Sequence, residues 1–165
     1  MVAYSFQKRF VDFVQAGLEP GPWCPGMKRH TLRAPRMGRA GHARPEQPVQ
    51  LYTAMRTKQC RLIGRGVARV QIPVTLIHID EERPLVLKRC KGPAPRSHVV
   101  ELAPVVRHIL DMPIGAFIVG EQMEEFARTD GFRDLTEMAA FFKAPQDRPA
   151  RMDLVLIGWA PGEPG

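Results

Sequence analysis

The sequence predicts an α+β fold, drawn as a small β-barrel with short helices packed at its ends. Three observations lead there. Segments rich in β-branched and aromatic residues recur along the chain, while helical periodicity is confined to short runs. Sixteen prolines and fourteen glycines in 165 residues imply many short connections and argue against a helical bundle. There is no heptad pattern and no internal repeat. The length suits one domain over residues 1–160 with a short tail at 161–165, and a chain of this size buries enough surface to hold a core without disulfides or metal.

Each element has its own warrant. VAYSF, residues 2–6, reads as a first strand. Residues 8–16 carry Phe10, Phe13 and Val14 at helical spacing, with Gly17 as a stop. LEPGPWCPG, residues 18–26, is a Pro/Gly loop inserted before the next strand. Residues 27–33 lead into a strand, residues 36–48 are basic and turn-rich, and 49–55 alternate with Val49, Leu51 and Thr53 on one face. The β-branched run 62–79 is read as two strands with Pro73 at a bend. Residues 80–98 are read as a hairpin around 84–88, within an extended middle region 80–120 whose part 99–119 is broken by Pro104 and Pro113. Residues 121–129 form a helix ended by Gly131. Residues 134–142 form another, with Asp134 at the N-cap and Glu137 three residues on, a capping-box pattern. Residues 152–159 close as a strand.

Composition narrows the function classes. The net charge of +7 is uneven, +12 over residues 1–100 and −5 over the rest. Eleven Lys/Arg and one acid, Glu46, lie between Lys28 and Arg69. Such a stretch attracts phosphates, and the dominance of Arg suits bidentate contacts; the plain alternative is a solvated basic face. Cys24, Cys60 and Cys90 form no CxxC pair, and His30, His42, His78, His98 and His108 have no ligand spacing, so neither a metal site nor a disulfide framework is expected. No apolar run reaches membrane-spanning length, and the first 20 residues lack an apolar signal core, so no membrane partner and a cytoplasmic location are expected. There is no GxSxG elbow, P-loop or GxGxxG.

Two clusters can carry chemistry. In KRHTLR, residues 28–33, Lys28 and Thr31 converge if the chain turns as it enters the strand, and Thr31 shares a strand face with Arg33. Neighbouring arginines would lower the Lys28 pKa, making it a base for the Thr31 hydroxyl. In DGF, residues 130–132, Asp130 follows a helix whose dipole disfavours a carboxylate, which suits a proton donor; a helix cap with Phe132 as a core anchor explains the same residues. Glu137 is the second-choice acid. Trp23 and Tyr52 are aromatic candidates for stacking, although a packed loop anchor also accounts for Trp23.

Taken in order, YSFQKRFVDFVQAG (4–17), GMKRHTLR (26–33), HARPEQPVQLYTAMRTKQCR (42–61), ARTDGFRDLTEMAAFF (127–142) and DLVLIGW (153–159) resemble the motifs of the ASCH domain, a PUA-like β-barrel. GMKRHTLR matches a Gly-x-Lys-x-x-Thr-Ile-Arg signature with Leu32 for Ile. The resemblance implies a cleft for a nucleobase. In some members it implies a cofactor-independent amidohydrolase removing the acyl group from N4-acetylcytidine, through a Lys, a Thr three residues later and a distant acid. Carried over, these are Lys28 as base, Thr31 as nucleophile and Asp130 as acid, an Asp standing where those hydrolases have Glu. Arg33, Tyr52, Phe132 and Trp23 would then contact a nucleoside or nucleotide. The same family pattern fits a non-catalytic RNA- or modified-base-binding module, and less well a ribonuclease.

Overall fold

The computed structural model describes residues 1–36, 41–80, 84–92, 100–142 and 151–162. The fold is mixed α+β. A seven-stranded sheet comprises β1 (Val2–Phe6), β2 (His30–Arg33), β3 (Pro48–Thr53), β4 (Arg61–Ile77), β5 (Val86–Arg89), β6 (Phe117–Ile118) and β7 (Arg151–Pro161). The helices are α1 (Val11–Gly17), which continues from a 3-10 turn at Lys8–Phe10, α2 (Pro104–Asp111), α3 (Gly120–Thr129) and α4 (Leu135–Phe142).

Strand β4 organises the sheet. Along one edge it pairs antiparallel with β3 and then, farther on, with β5; along the other it pairs with β7 from Gly66 to Ile77. The sequence reading divided this run in two at Pro73, but the strand is continuous. The Pro73 carbonyl accepts the Cys90 N–H at 3.2 Å, so the donor that proline lacks falls on the same edge, just beyond the last β4–β5 pair. The β7 edge keeps its ladder. Residues 86–89, read as part of a turn, form β5 instead, and the chain reverses before them. Residues 81–83 and 93–99 of the expected hairpin lie outside the described residues. Helix α2 was hidden by Pro104, which occupies its first turn, where a missing N–H costs nothing.

Alternation places the core. Val49, Leu51 and Thr53 of β3 are buried, as are Ala68, Val70, Ile72 and Val74 of β4. They meet Tyr4 and Phe6 of β1 and Trp159 of β7, with Phe6 and Trp159 edge to face at 5.6 Å. Phe126 and Met123 of α3 cover the same core.

The expected closure into a barrel is not made by backbone pairing among the described residues. Strand β1 pairs only with β3, in parallel, and β2 only with β7. Where these two edges face each other, arginines serve as the bridge. Arg33 donates from Nη2 to the Ser5 carbonyl at 2.7 Å, and Arg36 from Nη2 to the Ala3 carbonyl at 3.0 Å. Side chains thus satisfy alternate carbonyls along β1 and leave space between the strands for a cavity.

Among the described residues, no helix is long and apolar enough to cross a membrane.

Candidate functional site

The cavity opens beside the β1–β2 seam. Phe6, Phe10, Phe132, Phe141 and Phe142 wall it, and Lys28, Asp130, Thr31 and Arg33 supply its polar lining. Its volume, about 150 Å³, is that of a cavity that holds one benzene ring. That is the space of about one six-membered ring, and the cavity is partly open to solvent.

Local sequence puts each polar group there. Lys28 lies just before β2, and its N–H donates to the Phe13 carbonyl of α1 at 2.8 Å. Gly17 makes that approach possible: any side chain at this position would run into the Lys28 carbonyl oxygen. Its role is therefore close contact, beyond the helix stop expected from sequence. Asp130 caps α3, and Gly131 follows with φ +97°, a left-handed conformation that L side chains rarely adopt. A Cβ at Gly131 would stand 2.9 Å from Phe10 Cδ1. The turn thereby lays Asp130 against Lys28. Lys28 Nζ donates to both Asp130 Oδ1 and the Asp130 carbonyl oxygen, joining residues 102 positions apart.

Burial governs the electrostatics. Lys28 is 2% exposed and Asp130 2%. Burial pushes the Lys28 ammonium below its usual range, with Asp130 opposing and Arg33 adding a smaller push down. Burial pushes the Asp130 carboxyl up, with Lys28 and then Arg33 opposing. The sequence reading assigned these directions to neighbouring arginines and to a helix dipole, but desolvation is the larger cause. Burial thus narrows the ordinary gap between an ammonium and a carboxyl.

Thr31, also buried, lines the cavity, and its hydroxyl has no hydrogen-bond partner among the described residues. Arg33 lies over the Phe6 ring at 4.8 Å, and its Nε is buried without a partner. Of its five N–H donors one reaches Ser5, leaving others for an incoming oxygen. His30 faces away from Thr31, against Phe126 at 4.9 Å between ring centroids. Its Nε2 is 3.7 Å from Asp130 Oδ1, beyond hydrogen-bond reach, and neither ring nitrogen is bonded. Burial, and then the Lys28 charge, hold it neutral, well below its usual pKa.

Of the residues singled out from sequence, Lys28, Thr31, Asp130, Arg33 and Phe132 meet at this cavity. The others do not line it. Trp23 donates from Nε1 to the Met27 carbonyl at 3.0 Å and packs on the core, anchoring its loop. Tyr52 donates to Gln50 Oε1 at 3.3 Å. Glu137 pairs with Arg9 at 2.5 Å and accepts the Arg133 N–H. The expected capping box is half made: Asp134 Oδ1 takes the Glu137 N–H at 2.8 Å, but Glu137 reaches back to Arg133 instead of Asp134.

Arg29 departs furthest from expectation. Counted within a basic stretch, it is fully buried and donates to four carbonyls: Nε to Gly17, Nη1 to Gly21 and Glu101, and Nη2 to Glu19. It ties the 18–26 loop to the body of the protein. Phe6, Gln7, Phe10, Phe141 and Phe142 are among the lining residues that sequence reasoning did not single out.

Among the described residues, no group of three or more His, Cys, Asp or Glu side chains is placed to hold a metal ion. No family model, curated protein or solved structure matches this chain.

Proposed function

We propose that the protein is an amidohydrolase that removes the acyl group from N4-acylated cytosine nucleosides or nucleotides, with an ASCH-like domain related to PUA-like barrels. The observation that carries this reading is that Lys28, Thr31 and Asp130 line one ring-sized aromatic cavity, with Lys28 bonded to Asp130 and the Thr31 hydroxyl without a hydrogen-bond partner among the described residues.

In the reactive form Lys28 is an amine and Asp130 a carboxylic acid. Lys28 takes the Thr31 proton as Oγ1 attacks the acyl carbon, and Arg33 donates to the developing oxyanion. Asp130 gives its proton to the departing N4, the C–N bond breaks, and the free cytosine leaves an ester on Thr31. Asp130, now a carboxylate, removes a proton from water as that water attacks the ester. Lys28 returns its proton to Thr31, and the original state is restored with the acid released. The phenylalanine walls hold the ring and exclude bulk water.

The test is cytidine release from N4-acetylcytidine. Release by the wild type, reduced at least a hundredfold in Thr31→Ala, supports the reading. No release, or undiminished release from Thr31→Ala, overturns it. The non-catalytic binding module predicts retention of the modified base without turnover.

A further inference from the structure

His30 is an anomaly in the packing around Lys28 and Asp130. It is fully buried on β2, and its ring lies against Phe126 of α3, a place that an apolar side chain would fill. Neither ring nitrogen has a hydrogen-bond partner among the described residues. An imidazole kept in this state weakens the fold, since both nitrogens lose their bonds to water and gain none. Asp130 Oδ1 stands 3.7 Å from His30 Nε2. A hydrogen bond needs that distance to close by about 0.7 Å, which a small side-chain rotation supplies. In the resting state Lys28 holds the same oxygen with its ammonium. Oδ1 therefore has two donors in reach, Lys28 bonded to it and His30 just short of it. Asp130 Oδ2 accepts no bond from the described residues, and Asp130 lines the cavity.

We propose that His30 is a positioning residue for Asp130, a standby donor whose Nε2–H takes Oδ1 when Lys28 lets go of it. The inference rests on the amide hydrolysis proposed for the cavity. In that reaction Lys28 turns, as an amine, to the Thr31 hydroxyl, and Asp130 must hold its proton toward the leaving N4. A carboxylic acid with nothing to fix it presents its proton in more than one direction. With Oδ1 accepting from His30, the proton sits on Oδ2, the oxygen left for the cavity. Once that proton has passed to N4 and Lys28 has gained the Thr31 proton, the ammonium reclaims Oδ1 and His30 is released. His30 keeps its own proton throughout. The charged groups beside the ring are Lys28 and Asp130, while α3 faces it with the apolar Phe126. Burial and the Lys28 charge favour the neutral ring, the form that donates from one nitrogen only.

Two measurements test this. The first needs no hydrolysis: nitrogen-15 NMR of the imidazole rings in the full chain, with the His30 signals assigned by their loss in His30→Gln. In the wild type the ring should stay neutral from about pH 5.5 to 8.5, with one bare and one protonated nitrogen. In Lys28→Met the ammonium is gone, and the Nε2 proton should move downfield as it bonds to the carboxyl. Lys28→Ala should give the same signal, since the lost charge and not the lost bulk frees Oδ1. Ring spectra identical to wild type in these variants overturn the proposal. The second measurement is cytidine release from N4-acetylcytidine. His30→Leu should lower kcat about tenfold, the worth of one hydrogen bond made in the transition state, with KM within about twofold. His30→Gln carries an N–H near the place of Nε2 and should recover most of the loss, a rescue that a merely structural role would not give. Undiminished kcat in His30→Leu, or a loss that His30→Gln leaves in full, overturns this inference and leaves the hydrolase. No hydrolysis by the wild type, together with the downfield Nε2 proton in Lys28→Met, removes the hydrolase and leaves the His30–Asp130 bond.

Discussion

Replacing Asp130 by Asn keeps the side-chain shape and removes the charge opposite Lys28. Lys28 is then a buried cation with only the residue 130 carbonyl for compensation. It can remain charged in the interior or give up its proton, and the cheaper course sets the penalty. With an ordinary lysine value of 10.5, neutralising it at pH 7 costs at most about 4.8 kcal/mol, and at pH 9 about 2 kcal/mol. The sign follows from proton counting. The variant's unfolded chain keeps the lysine proton up to pH 10.5 while its folded state sheds it earlier, so the unfolded state binds more protons and stability rises with pH. Urea unfolding of Asp130→Asn from pH 6.5 to 9.5 should therefore show a loss of about 3–5 kcal/mol near neutrality that shrinks by about 1.4 kcal/mol per pH unit. At pH 7 the melting point should fall by roughly 10–20 °C. Lys28→Met in the Asp130→Asn background should recover much of the loss and abolish the slope. A variant within about 1 kcal/mol of wild type and flat across that range would refute the buried pair.

Three further outcomes follow from the packing. Arg29→Lys gives up part of a set of four carbonyl contacts, so it should lose about 3 kcal/mol and expose the 18–26 loop to chymotrypsin at Trp23; unchanged cleavage would contradict the tether. Gly131→Ala must adopt a left-handed φ and displace Phe10, and should lose about 2–3 kcal/mol in denaturant titration. His30→Leu removes two unbonded buried nitrogens, so unfolding should show no loss and a gain of up to about 1 kcal/mol; a loss above about 2 kcal/mol would reveal an imidazole hydrogen bond.

What the sequence made legible follows from how locally each feature is determined. Strand β1, helices α3 and α4 and the final strand carry their periodicity and caps within a few residues, and their positions agree with the structure to within a residue or two. Pro73 and Pro104 misled because the effect of a proline depends on where its missing N–H points, which is a property of the partner strand or the helix start. In the site, the spacing of Lys28 and Thr31 is by itself a weak signal and the Asp130-Gly-Phe turn reads locally as a helix cap, so all three residues were weighted by the family resemblance. Their meeting across 102 residues is a tertiary fact with no local signal. The same applies to Arg29, whose charge reads as surface until the four carbonyls around it are seen. Among the described residues the basic stretch accordingly separates into two buried cations, Lys28 and Arg29, two half-buried ones, Arg33 and Arg69, and exposed ones that include Arg36, Arg44 and Arg56.

The central claim is that Thr31 takes the acyl group, and intact-protein mass spectrometry after rapid mixing with N4-acetylcytidine tests it most directly. The account predicts a transient species heavier by one acetyl group, mapped by peptide fragmentation to the Thr31 hydroxyl, formed with stoichiometric cytidine and absent in Thr31→Ala. An acetyl group found on Lys28, or cytidine released by Thr31→Ala at the wild-type rate, would contradict it.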